Sequence, residues 1–240
     1  MPDRNFAGVF PILQMPFNET GQIIFEDLRA EVEYAIRGGV HGVGIAYGSE
    51  VNKLDDHERD EALSAVVDQA NGRIKVVMNT GAPSTVQAIH YTRAAKVLGA
   101  DAVMIAPPAI AGIPTTLLRQ HFIDVAGSSD IPIYMQDMTG AGMAPALMAD
   151  LSSAHENLCY AKIETLPTPN RFSEPPRWPE TGCRCLAGRT VSSSSKRCAE
   201  GLKAPCRGLR CATSCERRGI TSRLAMKLLP SRCGTTSSHW

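Results

Sequence analysis

Short apolar runs alternate with amphipathic stretches over the first two-thirds of the chain. Residues 9–15 read as a strand. Residues 25–37 follow as a helix, with Leu28, Val32, Ala35 and Ile36 at helical spacing and Gly38-Gly39 as its stop. Residues 43–46 form the next strand, and Asp55 or Asp56 can cap a helix running to about Ala70 on the stripe Ala62, Leu63, Val66 and Val67. Residues 74–78 are a third strand. Ser84 caps a helix carrying Val86, Ile89, Ala94 and Val97, closed at Gly99. Residues 102–106, 131–135 and 158–163 complete the strands, with helices between them at 115–126 and 145–153, the latter with Pro145 in its first turn.

Strict strand–helix alternation predicts parallel strands joined by right-handed crossovers. An open doubly wound sheet and a closed (β/α)8 barrel both satisfy it. No G-x-G-x-x-G follows the first strand and no phosphate loop occurs, which disfavours a nucleotide-binding sheet. Polar residues gather where the strands end: Tyr47-Gly48-Ser49-Glu50, Asn79-Thr80-Gly81 and Gln136-Asp137. In a barrel those ends form the active-site rim. The expectation is an α/β fold of the TIM-barrel type, incomplete at about six strands and followed by an irregular C-terminal tail.

Composition divides the chain in two. Residues 1–174 carry 12 Lys and Arg against 21 Asp and Glu; residues 175–240 carry 13 against 3. Cys159 alone lies in the first part, and the other seven cysteines lie in the second. Residues 1–174 are therefore expected to form the partial barrel, and 175–240 a basic Cys-, Ser- and Arg-rich tail without strand–helix pattern, not independently folded. Cys183-x-Cys185 and Cys211-x3-Cys215 are irregular for a zinc module. A nucleic-acid tail would want interleaved aromatics, and these are missing. An out-of-frame reading of a GC-rich gene accounts for the abrupt change. No apolar run approaches membrane-spanning length and no signal core opens the chain, so a cytoplasmic protein is expected.

Lys162 stands inside the apolar run 158–163. A lysine on a buried parallel strand is costly unless its charge is paired or lost, and an uncharged amine is what attacks a carbonyl to form a Schiff base. The plainer reading is a strand-end lysine reaching solvent. Tyr134, one strand earlier, could relay protons beside such a nitrogen, or be a core aromatic. The turn Tyr47-Gly48-Ser49-Glu50 offers amides and a hydroxyl to a carboxylate, or is an ordinary polar turn.

Several segments together carry a family resemblance. Gly8-Val9-Phe10-Pro11 through Pro16-Phe17 and Gly21, Gly38-Gly39-Val40-His41-Gly42-Val43, and Gly48-Ser49-Glu50 with Leu54 and Glu58 are similar to the dihydrodipicolinate synthase / N-acetylneuraminate lyase family. So are Asn79-Thr80-Gly81, Gly99-Ala100-Asp101-Ala102, Ile131-Pro132-Ile133-Tyr134 and Ala161-Lys162-Ile163-Glu164, and the likeness spans about residues 4–174. It implies a class I, Schiff-base lyase on a (β/α)8 barrel that acts on pyruvate or a related 2-oxo acid and an aldehyde. Lys162 would form the imine, Tyr134 would move protons, and Tyr47, Gly48, Ser49 and Thr139 would bind substrate. Neither a metal nor another cofactor is implied, and a homo-oligomer is. The chain departs from the family pattern in three places. Tyr47 and Gly48 stand where the family has paired threonines; residues 106–109 read Ala-Pro-Pro-Ala, without the relay tyrosine; Met138 replaces an arginine before Thr139-Gly140. These departures point to a divergent member that acts on some other 2-oxo acid and does not recognise its second substrate as the synthase does, and the incomplete barrel predicts that the activity is impaired in this chain. The competing reading is an inactive barrel fragment bearing a basic, Cys-rich tail that binds metal or nucleic acid.

Overall fold

A computed structural model describes residues 6–138, 140–165 and 184–187. Helix α1 (Phe25–Arg37) leads into β1 (Gly42–Ile45), followed by α2 (Asp56–Ala70), β2 (Lys75–Asn79), α3 (Thr85–Val97) and β3 (Ala102–Ile105). Then come α4 (Thr115–Gly127), β4 (Ile133–Asp137), α5 (Pro145–Ala154), β5 (Tyr160–Ile163) and β6 (Arg184–Ala187). The strands form one sheet in chain order, every neighbouring pair parallel. Successive helices pack side by side. A strand order without reversal, with helices in one layer, is the barrel arrangement and not the doubly wound one.

Two expectations about strands need correction. Residues 9–15 form no strand of the sheet; they touch β1 through a single parallel bridge, Ile12 to Gly44. His41 and Gly44 donate to the carbonyls of Val9 and Pro11, and Leu13 donates to Gly44. Pro11 carries no N–H to continue the bonding toward β1, so the segment does not sustain a ladder. Conversely, β6 falls in the stretch expected to be without strands, where its backbone pairs with the edge of β5 from Tyr160–Arg184 to Ile163–Ala187. The edge of a parallel sheet offers unpaired amides and carbonyls to any extended segment nearby, whatever its pattern.

The two faces of the sheet have different partners. Val43, Ile45, Val76, Met78, Val103, Ile105, Ile133, Met135, Ala161 and Ile163 pack against the helices in the main core. The inner face holds a second cluster of Phe6, Ala46, Val77, Ala102, Met104, Tyr134, Cys159 and Tyr160, with Phe10 and Ile12 against it. Glycine is required on β1 for this packing. A Cβ on Gly42 would lie 2.2 Å from the Phe10 ring and 2.6 Å from the Lys75 carbonyl oxygen, and one on Gly44 2.8 Å from Ile12.

Helix boundaries follow the caps. Asp55 accepts from Glu58 N while the Glu58 carboxylate accepts from Asp55 N, which closes a capping box on α2; Ser84 accepts from Gln87 N at the start of α3. The stripe expected on α3 is displaced, however. Ala88, Thr92 and Ala95 are the buried positions, and Val86 and Val97 are 79% and 85% exposed. Ala88 and Ala95 join the main core and the Thr92 hydroxyl meets that of Thr80, just after β2, at 3.0 Å, so the small-residue face is the one turned inward.

Candidate active site

Lys162 lies on the inner face near the carboxyl end of β5, alternating with the helix-facing Ala161 and Ile163. Its side chain is 13% exposed, and Nζ is 3.2 Å from Glu164 Oε2. The cost of a charge on this strand is thus met by pairing. The ladder sets Gln136 of β4 opposite Lys162, and Gln136 Nε2 donates to the same Glu164 oxygen at 2.5 Å. Two neighbouring strands therefore deliver an amine, a carboxylate and a carboxamide to one point.

Tyr134 lies two residues deeper. It is opposite Tyr160, with which it stacks at 4.5 Å and 19°, so Tyr134 and Lys162 are diagonal neighbours on one face. Phe6 closes the layer below, edge-on to Tyr134 at 6.0 Å and to Tyr160 at 5.4 Å. The aromatic layer gives the polar cluster a water-poor floor.

The turn after β1 is a 3-10 segment, Tyr47–Ser49, followed by another at Val51–Lys53. Glu50 joins them at φ 56°, a left-handed conformation. Ser49 is fully buried; its hydroxyl donates to Leu13 O at 2.5 Å and accepts from Ala46 N at 3.1 Å. That hydroxyl therefore holds the turn to the segment before α1. Tyr47 extends over the β2–α3 loop, its hydroxyl 3.4 Å from where a Cβ on Gly81 would sit. Burial pushes its phenol up, and Arg59 pulls it down by less. Thr139 lies outside the described residues; its neighbours Met138 and Ala141 close a tight turn, with Gly140 at φ 87°.

Sequence reasoning missed two inward amides and one cation. Asn79 ends β2 with its Oδ1 accepting from Gly81 N, while its Nδ2 is buried without a partner. Gln136 Oε1 is likewise buried and unpartnered. Both amides stood in the rim segments noted above, but only register shows which strand residues face inward. Arg59 is 5% exposed and donates to Val51 O at 2.9 Å and Asn79 O at 2.8 Å, tying the turn after β1 to the end of β2. Among the described residues, no group of three or more His, Cys, Asp or Glu is placed to hold a metal ion. No helix of the described residues is long and apolar enough to cross a membrane.

The sequence profile of the dihydrodipicolinate synthetase family matches residues 5–165. The chain belongs to the dihydrodipicolinate synthetase family. Within that family it is 32% identical over 171 residues to 4-hydroxy-tetrahydrodipicolinate synthase of Methanococcus vannielii, covering 70% of this chain and 58% of that protein. The same-named enzyme of Methylococcus capsulatus is 35% identical over 150 residues, with 60% and 51% covered. The chain thus spans little more than half the length of these curated relatives. The crystal structure of dihydrodipicolinate synthase from Aquifex aeolicus superposes with a TM-score of 0.76 at 29% identity, over 82% of this chain and 67% of that one. A prophage protein of the family from E. coli K12, solved in complex with pyruvate, shares the fold at a TM-score of 0.74 and 20% identity, over 82% and 68%. The family's TIM-barrel architecture agrees with the strand order described above.

Proposed function

We propose that this chain is a Schiff-base lyase of its family, acting on pyruvate or a related 2-oxo acid with an aldehyde as second substrate. The observation that carries the reading is Lys162, an amine largely withdrawn from solvent on the inner face of a barrel strand. In this reading the Lys162 amine forms an imine with the 2-oxo acid. The protonated imine then draws electrons from the adjacent carbon and stabilises the enamine that attacks or releases the aldehyde. Tyr134 supplies a phenol on the same face for proton movement. The turn bearing Tyr47, Gly48 and Ser49, together with Thr139 by likeness to the family, binds the 2-oxo acid carboxylate through amides and hydroxyls. Within that turn Ser49 acts by holding the backbone, because its own hydroxyl is engaged by Leu13. The imine serves as electron sink, so the scheme uses no metal. By likeness to its family, the working form is a homo-oligomer.

Residues 1–174 are the lyase domain in this proposal, and 175–240 arise from an out-of-frame reading. The change in charge and cysteine content past Glu174 supports this, as does a family match that stops at residue 165. Translating the encoding DNA in the other two frames tests it: a frame that restores strand–helix alternation is expected, and stop codons in both would overturn it.

Borohydride reduction in the presence of pyruvate, followed by peptide mass mapping, tests the activity. The expected result is a reduced three-carbon adduct on Lys162, absent from K162M. An adduct on other lysines only, or none, would refute the assignment.

A further inference from the structure

Glu164 has a part in this site that its sequence position alone does not reveal. It lies two residues after Lys162, so the two side chains leave the chain on the same side. Its Oε2 touches both Lys162 Nζ at 3.2 Å and Gln136 Nε2 at 2.5 Å, and its backbone N–H donates to Asp137 O at 2.8 Å. The carboxylate is therefore held at three points: by its own main chain, by a side-chain amide and by the amine. The Glu164 side chain is 21% exposed, and Gln136 is 2% exposed. An exposed surface pair would trade partners with water; this one is set in place by β4. Tyr134 lies deeper, stacked on Tyr160, whereas Glu164 is already in contact with the reacting nitrogen.

We propose that Glu164 is the proton-transfer residue for imine formation at Lys162, and that Gln136 is the positioning residue that aims its carboxylate. The proposal rests on the Schiff-base reading given above. The ammonium of Lys162 has no lone pair with which to attack. Glu164 takes one of its protons. The freed pair forms the C–N bond at the C2 carbonyl carbon, and the carbonyl π electrons move to oxygen. A second nitrogen proton passes to that oxygen and gives a neutral carbinolamine. The Glu164 carboxylic acid then protonates the hydroxyl, the C–O bond breaks, and water leaves as the nitrogen pair closes the C=N bond. Glu164 returns to its carboxylate form. The third original proton stays on the iminium nitrogen, and no outside acid or oxidant takes part.

The test is the rate at which pyruvate is trapped on Lys162 by borohydride, followed by mass spectrometry on the full-length chain. Parent, E164Q, E164D and E164A are compared at one pH. E164Q keeps the size and the amide-bonding capacity of the side chain, and it should trap about a hundredfold more slowly, in the range ordinary for a lost general acid–base group. E164D should stay within about tenfold of the parent by the same reasoning, since it keeps the carboxylate. Added acetate or formate should speed trapping in E164A in proportion to its concentration and leave the parent unchanged; a merely structural glutamate would show no such rescue. Trapping by E164Q at the parent rate, or a slowed E164A that acetate does not rescue, overturns the role of Glu164 while the Schiff-base reading stands. A parent chain that forms no adduct overturns both.

Discussion

Replacing Arg59 by methionine should destabilise the protein and loosen the site together. The guanidinium is buried and makes two hydrogen bonds to main-chain oxygens, at 2.9 Å to Val51 and 2.8 Å to Asn79. It also lies 4.1 Å from the centre of the Tyr91 ring, whose hydroxyl donates to Asp56 at 2.7 Å. Burial lowers the proton affinity of the guanidinium, and Tyr91, Asp56 and Asp60 offset this. Hydrogen bonds to a charged donor contribute about 1.5–3 kcal/mol each. The ring contact adds about 1 kcal/mol. Methionine regains part of this, because a buried charge no longer has to be stripped of water. The net loss expected for R59M is about 3 kcal/mol, combining the hydrogen-bond and desolvation magnitudes. R59K can reach one carbonyl but not both, so it should lose roughly half as much. Urea unfolding of the full chain, followed by far-UV circular dichroism, measures both. The Val51–Lys53 segment, which directly follows the turn bearing Tyr47 to Ser49, would lose its tie to the end of β2, so pyruvate trapping on Lys162 should slow in R59M at urea-free conditions. An R59M protein within about 0.5 kcal/mol of the parent would refute the argument, because that is the range of an inert surface substitution.

Three further outcomes follow from particular contacts. G42A should lower stability by at least about 2 kcal/mol in the same unfolding assay, because its Cβ would meet the Lys75 backbone oxygen as well as Phe10, and the backbone cannot swing aside. His121, buried with Nδ1 at 2.9 Å from Thr85 Oγ1, has its pKa lowered from 6.5 by burial, against a smaller opposing effect of Asp124. The unfolded chain then binds the proton more readily, so this contribution to stability is complete above about pH 6.5 and is lost as pH falls below it; H121Q should flatten that segment of the stability–pH curve. Met138 offers no charge to a second carboxylate, so neutral aldehydes should discharge the Lys162 enamine faster than carboxylated ones, and M138R should reverse the order in a competition assay.

Much of the fold was legible because buried parallel strands and capped helices leave local marks. Asp55 and Glu58 announce α2 by a capping box that needs no tertiary information, and Pro145 marks α5 in the same way. The errors fall where packing overrode local pattern. Val86 and Val97 look like the core of α3, yet the helix turns Ala88, Thr92 and Ala95 inward, where Thr92 bonds Thr80. Residues 9–15 have the apolar content of a strand, but Pro11, which has no N–H to donate, leaves them one bridge. Arg59 resembled any charged residue in a first helical turn; its partners are two carbonyls from other segments, and no spacing along the chain encodes them.

The site divides along the same line, and the reason is the parallel ladder. A charge within an apolar run is conspicuous, so Lys162 could be singled out from sequence alone. The two-residue spacing to Glu164 was visible as well, but a neighbour on the same side of a strand end is as often a solvated carboxylate as a partner. What changes its meaning is Gln136, 28 positions earlier, which donates to Glu164 Oε2. Register places Gln136 opposite Lys162; a slip of one residue would put Met135 or Asp137 there and leave the carboxylate without its amide. That register is in turn held where Tyr134 stacks on Tyr160 over Phe6, one layer down. The aromatic residues thus do more than exclude water. By locking β4 against β5 they determine which polar side chain meets the lysine, so Y134A should misplace Gln136 and slow trapping on Lys162 more than Y134F, which removes only the hydroxyl. Equal rates for the two variants would show that the stacked layer does not set the register on which the amine, carboxylate and amide depend.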